Sequence, residues 1–433
     1  MLARRSPFAR LLSSRTGHAF RRGGFAKLGP PPRRHKSSTT QVEDAPVEES
    51  SQQASHHDSH VGLHDSHVGL HDSHPFGHRF AHHKYVDFFR DESMSVGIVS
   101  FRSAVHGKKN ILGDFLEELK NVVEHITNVM ANEETNTFYI KEFPRGDNYL
   151  VQNMRNRIPY VDNRLKVLIL TGGNEPIGSG EASMSGSTPD YNSFLKNDEQ
   201  LNVQLANSFR YLCNTIQHLP LITISSINGQ CHNSGMDLLL STDFKLSSEE
   251  STFGFNKAHL GLLPYGGGTQ KLFRAIPMSY AKHLLLTGDT IRAKDALRIN
   301  LIDICMGHNE DHFVQNSCVH FDANLAKKEK MQIIKESVGT FFADVFSNEL
   351  FKDRVKDSCF VFSLFFAFQF LFIPTNALQN VKMSILEGMS LAEPNLYLDH
   401  DRAVFERNIN APQRAEILAY LKRRVSGAPS VPT

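Results

Sequence analysis

The chain has 433 residues, with 47 basic against 46 acidic side chains and 40% hydrophobic residues. This length is enough for one large or two medium domains with a sizeable core. Ten of the basic residues precede Glu43, the first acidic residue, so the remainder carries 37 basic against 46 acidic residues. A body this acidic argues against a nucleic-acid-binding module and against a polybasic membrane-surface domain.

Two segments of biased composition come first. Residues 1–42 are rich in Arg and Ser, lack acidic residues and contain no long apolar run. This composition is typical of a mitochondrial transit peptide, with a disordered basic tail as the alternative. Residues 43–84 carry HDSHVGL repeats and ten of the 22 His, which predicts a disordered linker. A specific metal site is disfavoured there, because so few apolar residues cannot fix a coordination cage.

The five cysteines are odd in number, widely spaced and without a CxxC pair. This usage favours a reducing compartment, here the mitochondrial matrix, and predicts neither a disulfide framework nor a zinc cage.

From residue 94 the sequence alternates between strand-like and helix-like runs, which predicts an α/β domain. Residues 127–164 show no clear period and are interpreted as an insertion. The predicted strands are 96–101, 165–170 and 221–227, and the predicted helices are 112–126, 201–216 and 269–273.

The most apolar run, CFVFSLFFAFQFLFI at 359–373, has 15 residues. A membrane-spanning helix needs about 20. A buried helix or a protein-contact surface is therefore favoured over a membrane span.

Three segments stand out as motifs. They read VLILTGGNEPIGSGEASM at 167–184, SSINGQCHNSGMDLLLSTDFKLSSEESTFGF at 225–255 and HLGLLPYGGGTQKLFRAIPMSYAKHLLLTGDTIRAKDALRINLID at 259–303. Together they resemble the crotonase superfamily, also called the enoyl-CoA hydratase/isomerase family. The resemblance implies a crotonase-like spiral of ββα units in 85–308, interrupted by the insertion at 127–164. A C-terminal helical region with its own insertion is expected over 309–433.

Family chemistry rests on a thioester enolate held by two backbone amides, and such oxyanion stabilisation is usually the largest catalytic contribution. The resemblance assigns these amides to Ser179 and Ser234, with Gly180 and Gly235 permitting the tight turns and close ligand approach. Two ordinary strand-to-helix turns are the alternative reading.

The acid/base positions depart from the family pattern. Hydratases place two glutamates where this chain has Asp237 and Lys257, and a carboxylate with an ammonium cannot divide acid and base roles over one water. Conventional hydration is therefore doubtful. Dienoyl-CoA isomerases of the family also have Asp at the position of Asp237, but they carry further acids where Lys257 and Tyr265 lie. His259 is a second titratable candidate, with a surface or interface histidine as the alternative.

For the ligand, the resemblance implies an acyl-CoA thioester and no tightly bound cofactor. Gly267, in the turn before the helix at 269–273, would lie near the acyl pocket, and Lys282 is a candidate CoA-phosphate contact. Relatives commonly form trimers or pairs of trimers, so we expect a homotrimer or homohexamer.

Two functions remain open at this point. One is an isomerase or hydratase variant acting on fatty-acid or branched-chain acyl-CoA, with Asp237 moving the proton. The other is a catalytically inactive crotonase-fold subunit of a mitochondrial protein complex, which the position of Lys257 and the added segments favour.

Overall fold

The computed structural model describes the following residues: 85–91, 95–101, 111–135, 140–142, 148–155, 160–162, 164–172, 199–256, 258, 263–388, 402–407, 414, 418–419 and 422. All of them belong to one compact unit, Asp72–Thr433. The expectations for residues 1–84, and those for Ser179, Gly180, Lys257 and His259, lie outside the described residues.

The described strands match the predicted ones within two residues where both exist. In chain order they are β1 (Val86–Asp91), β2 (Val96–Phe101), β3 (Ile140–Glu142), β4 (Tyr160–Asp162), β5 (Val167–Thr171), β6 (Ile222–Ile227), β7 (Gln230–His232), β8 (Phe244–Ser247), β9 (Thr252–Gly254), β10 (Thr290–Arg292) and β11 (Ile304–Cys305).

Helices alternate with these strands and then dominate the C-terminal part. They are α1 (Ile111–Thr135), α2 (Tyr149–Gln152), α3 (Glu199–His218), α4 (Ser234–Leu239), α5 (Gly268–Ala275), α6 (Met278–Thr287), α7 (Ala293–Arg298), α8 (Glu310–Asn316), α9 (Lys327–Phe341), α10 (Ala343–Ser347), α11 (Ser358–Leu371) and α12 (Thr375–Gly388). Two 3-10 turns, Glu349–Phe351 and Arg354–Lys356, precede α11, and residues 402–407 are helical.

The central sheet has six strands in the order β1-β2-β5-β6-β8-β11. Only the β1/β2 pair is antiparallel, and the other neighbours run parallel. The carboxyl ends of β5 and β6 therefore lie side by side at one edge, where Thr171 pairs with Ser226. A smaller sheet has the strand order β10-β9-β7, and its strand β7 comes directly after β6 in the chain. The predicted α/β class is confirmed.

Each face of the sheet has its own apolar core, as the period-2 alternation of side chains requires. Val99 and Leu170 face a cluster built with α1, α3 and α5, whereas Ile98 and Ile169 face a cluster built with α9 and α11. The helices after residue 308 therefore share a core with the sheet and cover its second face.

The Phe-rich run forms the buried helix α11, as predicted, which packs on β5, β6 and β8 and also on α9. A helix with neighbours on several sides is apolar all round, which accounts for its composition. Its rings meet those of other elements, such as Phe368 with Phe341 at 4.9 Å between centroids. Within the described ranges no single helix is long and apolar enough to cross a membrane; α11 and α12, bent by 104°, reach that length and composition only as a pair.

The segment interpreted as an insertion contains regular structure. Helix α1 continues to Thr135, β3 and β4 pair in antiparallel orientation, and α2 packs against α9. Asp162, at the end of β4, belongs to a buried network: its carboxylate accepts hydrogen bonds from the amide and hydroxyl of Thr375, and Lys166 lies 3.6 Å away. This segment therefore helps to fix the start of α12.

Candidate active site

The turn after β6 and β7 leads into the short helix α4, whose first residue is Ser234. Asn233 caps the helix with a positive φ of 49° and is held by two bonds: its amide donates to the Gly254 carbonyl at 3.0 Å, and its side chain donates to Asn256 at 2.7 Å. The Asp237 amide bonds to the Asn233 carbonyl, which starts the helical pattern. The amide of Ser234, in the first turn, has no carbonyl partner within the helix. It suits the second oxyanion position that the sequence predicts.

Asp237 lies one turn further along α4 and is completely buried, with 0% of its surface exposed. Its Oδ2 accepts the amide hydrogen of Gly266 at 3.0 Å, and its Oδ1 accepts that of Gly268 at 2.7 Å. Gly268 is the first residue of α5, so the carboxylate satisfies one of the helix-start amides that would otherwise lack partners. Asp237 thus acts as a side-chain cap supplied by another helix.

Burial raises the pKa of Asp237 to about 7, although the Gly266 and Gly268 amides and the charge of Lys271 act in the opposite direction. Lys271 lies on α5, where its Nζ donates to the Ser241 hydroxyl at 2.8 Å, and burial lowers its pKa. The site therefore holds a carboxyl group that titrates near neutrality beside a half-buried lysine. Sequence reasoning missed Lys271; its place one turn after Gly267 in GGGTQK is the signal that could have found it.

Two of the three consecutive glycines are required by this close packing, and the third by its backbone angle. A Cβ on Gly266 would lie 2.5 Å from the Cβ of Asp237, and one on Gly268 would lie 2.5 Å from both Asp237 Oδ1 and a ring carbon of Phe255. Gly267 has φ of 104°, which other residues rarely adopt. The turn predicted before the helix at 269–273 is present, and the Asp237 carboxylate packs against it.

Tyr265 covers the same region with an aromatic side chain. Its hydroxyl lies 3.0 Å from the Ser234 hydroxyl, and its ring packs on Phe209 at 5.2 Å between centroids. Burial raises its pKa, so the phenol is neutral at physiological pH. The hydrogen bond between the Tyr265 and Ser234 hydroxyls therefore links the glycine turn to the start of α4.

A histidine that sequence reasoning passed over, His232, immediately precedes the α4 turn. Its Nε2 lies 3.1 Å from the Thr252 hydroxyl and its Nδ1 lies 3.4 Å from the Asn256 amide. Burial lowers the pKa of His232, which favours the neutral ring. Its position two residues before Ser234 is the sequence feature that could have identified it. Its hydrogen-bond partners lie elsewhere in the chain, at Thr252 on β9 and at Asn256 after β9.

Of the predicted site residues, the structure brings Ser234, Gly235, Asp237 and Gly267 together around the α4 and α5 helix starts. Gly235 is buried within α4. Lys282 lies exposed on α6. Among the described residues, no group of three or more His, Cys, Asp or Glu side chains is arranged to hold a metal ion.

Comparison with known proteins places these features in a family. The family model "Enoyl-CoA hydratase/isomerase" matches residues 149–351. The chain is 35% identical over 106 residues to a probable mitochondrial enoyl-CoA hydratase 2 of Arabidopsis thaliana, covering 24% of this chain and 35% of that protein. It is 30% identical over 156 residues to the fatty acid oxidation complex subunit alpha of Aliivibrio fischeri, covering 36% of this chain and 22% of that protein. The chain thus matches only about a fifth to a third of the length of these relatives.

Among solved structures, the enoyl-CoA hydratase from Bacillus anthracis aligns with 19% identity and a TM-score of 0.47, over 79% of this chain and 97% of that one. Pseudomonas aeruginosa DspI aligns with 17% identity and a TM-score of 0.48, over 79% and 96%. The family-model match agrees with the three motifs and with the sheet that carries them. The fold is a crotonase-like spiral with a C-terminal helical region, and the family-model match over 149–351 supports membership of the crotonase superfamily.

Proposed function

We propose that this chain is a crotonase-superfamily protein of the mitochondrial matrix that binds an acyl-CoA thioester but does not carry out conventional enoyl-CoA hydration. One observation carries the proposal: both carboxylate oxygens of Asp237 accept backbone amide hydrogens, and the residue is fully buried.

General acid/base catalysis requires a group within hydrogen-bond reach of the proton it moves. The aspartate side chain is one methylene shorter than that of glutamate. The Asp237 carboxylate reaches only as far as the Gly266 and Gly268 amides, whose hydrogens it accepts. A carboxylate engaged in this way stabilises the glycine turn. The resemblance places the second family acid at Lys257, so the two family positions carry one carboxylate and one ammonium instead of two carboxylates.

Binding of the thioester rests on a different part of the site. The Ser234 amide begins α4 and needs only backbone geometry to donate to an oxyanion, so it can persist when the acid/base residues change. With the Ser179 amide as the expected second donor, an acyl-CoA ligand and no tightly bound cofactor fit the resemblance. Similarity to a probable enoyl-CoA hydratase and to a fatty acid oxidation complex subunit supports the same ligand class.

A second candidate is an isomerase in which Asp237 alone shuttles a proton between the α and γ carbons of an acyl-CoA. The observation favouring it is the pKa of about 7 for Asp237, since a proton-transfer group works best with a pKa near the working pH. The expected homotrimer or homohexamer is compatible with both candidates.

The test is a calorimetric titration of the full chain with short, medium and long 2-enoyl- and 3-enoyl-CoAs, with loss or migration of the double bond followed in the same mixtures. The proposal predicts binding without turnover. Ser234→Pro and Ser234→Ala form a pair in which both lose the hydroxyl but only proline loses the amide hydrogen. Because Asn233 has a ψ of −111°, which is unfavourable before proline, circular dichroism of both variants checks that the fold is kept. We expect the alanine variant to bind and the proline variant to lose binding.

Turnover of any enoyl-CoA would instead support the isomerase. No binding by the wild-type chain at any acyl length would overturn acyl-CoA recognition. That result would favour the alternative, an inactive crotonase-fold subunit of a mitochondrial protein complex.

A further inference from the structure

The start of α11 lies against the carboxyl ends of two central strands. Asp357 caps this helix, with its Oδ1 accepting the Cys359 amide hydrogen at 2.9 Å. Cys359 in turn contacts β6, where the Ser226 hydroxyl donates to its sulfur at 3.8 Å. The helix of the C-terminal region therefore reaches the sheet edge from which the turn leading to Ser234 departs.

Two buried side chains of opposite charge occupy this contact. Arg354 is 4% exposed and Asp357 is 5% exposed, and the two charges attract each other. Arg354 Nη2 donates to the carbonyl oxygen of Gly172, the residue directly after β5. Asp357 reaches β6 through the helix start that it caps, because Cys359 contacts Ser226. The segment 354–359 thus contacts the ends of both β5 and β6.

These two strand ends are where both oxyanion turns begin, since the resemblance places the donors at Ser179 after β5 and Ser234 after β6. Two amides can share one oxyanion only if their spacing is held to within about half an ångström. We infer that Arg354 and Asp357 are positioning residues that fix the relative placement of the β5 and β6 ends for thioester binding. This inference rests on the proposed function.

Simple packing does not require this pair. Removing two charges from water is costly, and well-packed apolar residues of similar volume often stabilise a core as well or better. The surroundings in α11 are phenylalanine-rich, so an apolar residue at 354 would be compatible with its neighbours. The two residues instead supply directional bonds, from Arg354 to the Gly172 carbonyl and from the Cys359 backbone amide to Asp357, which specify geometry.

The experiment uses the full chain and three variants. Arg354→Met removes the donor to Gly172, whereas Arg354→Lys keeps a charged donor. Asp357→Asn keeps an acceptor suited to the helix cap, because Asn and Asp are similar N-cap residues, but removes the charge. The matched control is Lys382→Met, which removes a buried cation whose Nζ donates to the Leu221 carbonyl and to Asp243 beside the opposite ends of the strands.

Two readouts are compared, calorimetric affinity for an acyl-CoA and hydrogen exchange of peptides spanning 165–172 and 222–236. We expect Arg354→Met and Asp357→Asn to speed exchange selectively in these peptides and to weaken acyl-CoA binding at least about tenfold, since small misplacements of binding groups have large effects. Arg354→Lys should restore much of the protection. Lys382→Met should weaken global stability without that selective change.

The inference is overturned if Arg354→Met changes exchange uniformly, as Lys382→Met does, or leaves affinity unchanged in a wild-type background that binds. Failure of the proposed function is recognised separately. The wild-type chain could bind no acyl-CoA while exchange at the two strand ends still responds selectively. That result would support the positioning of the strands and would exclude its role in thioester binding.

Discussion

Oδ1 of Asp237 accepts the amide hydrogen of Gly268 at 2.7 Å, which joins the interior of α4 to the first residue of α5. The two residues are 31 positions apart in the sequence, and both are buried. The position where the family places a catalytic acid has thereby become part of the framework.

Gly268→Ala is expected to destabilise the fold. The new Cβ would lie 2.5 Å from Asp237 Oδ1 and from the Phe255 ring, so one of these groups must move. Such overpacking costs about 1–3 kcal/mol, measured as the free energy of unfolding in urea. Gly388→Ala is the control, because in the described structure no atom lies within 4 Å of its Cβ position. Equal stability of the two variants would contradict the close packing of the glycine turn.

The stability of the wild-type chain should depend on pH through Asp237. Its pKa is raised from 3.8 to about 7 by burial, so the folded state binds the proton more tightly than the unfolded state. The stabilising contribution is fully present below about pH 4 and is lost as the pH rises through 7. The difference in unfolding free energy between the wild type and Asp237→Asn should therefore shrink or reverse between pH 5 and pH 8. Parallel stability curves for the two proteins would show that this residue is not the titrating group.

Tyr265→Phe removes the hydroxyl that meets the Ser234 hydroxyl at 3.0 Å and keeps the ring against Phe209. We expect a loss of about 1 kcal/mol, the usual net value of one hydrogen bond, observed as a lower melting temperature. Tyr280→Phe, at an exposed tyrosine of α6, should change stability by less than about 0.5 kcal/mol. A Tyr265 variant as stable as the Tyr280 variant would exclude an energetic role for the link.

Lys166→Met should be strongly destabilising. The lysine is 2% exposed, its Nζ donates to the carbonyl oxygens of Leu371 and Ile373 at 2.6 and 3.0 Å, and Asp162 lies nearby. Burial lowers the pKa of Lys166 to about 8, but removing it leaves the Asp162 carboxylate buried without its cation. Breaking such a pair costs about 3–5 kcal/mol.

The control for that variant is Lys120→Met, since Lys120 forms an exposed pair with Glu124 on α1 at 3.5 Å. A surface pair of this kind contributes about 0–1 kcal/mol. Denaturant unfolding of both variants under one set of conditions should separate them clearly. Similar losses would mean that the bonds at the end of α11 contribute little.

The parts of the fold that were predictable from sequence are those with a strong local period. The runs 96–101 and 221–227 became β2 and β6, and 359–373 became α11, because continuous apolar stretches of those lengths have few other solutions. The prediction ended helix α1 too early, at residue 126, because the last turns of the helix are polar and their period is weak. The composition of α11 was explained only once its neighbours on several sides were known.

The chemistry of the site was less accessible to sequence reasoning. The motif located Asp237, Ser234 and the glycine turn, but not the bonds from Gly266 and Gly268 that determine what the carboxylate does. Those contacts join residues about 30 positions apart, and no local pattern encodes them. The same holds for Arg354, whose carbonyl partner lies 182 residues away.

The central claim is that Asp237 holds the glycine turn and transfers no proton to or from a thioester. The most direct measurement is deuterium incorporation at the α carbon of a saturated acyl-CoA incubated with the full chain in D2O and followed by NMR. Such exchange reports enolate formation whatever the natural product is. The account predicts no incorporation above the protein-free sample, together with a clear loss of stability in Asp237→Asn. Incorporation that Asp237→Asn abolishes while stability is unchanged would contradict it.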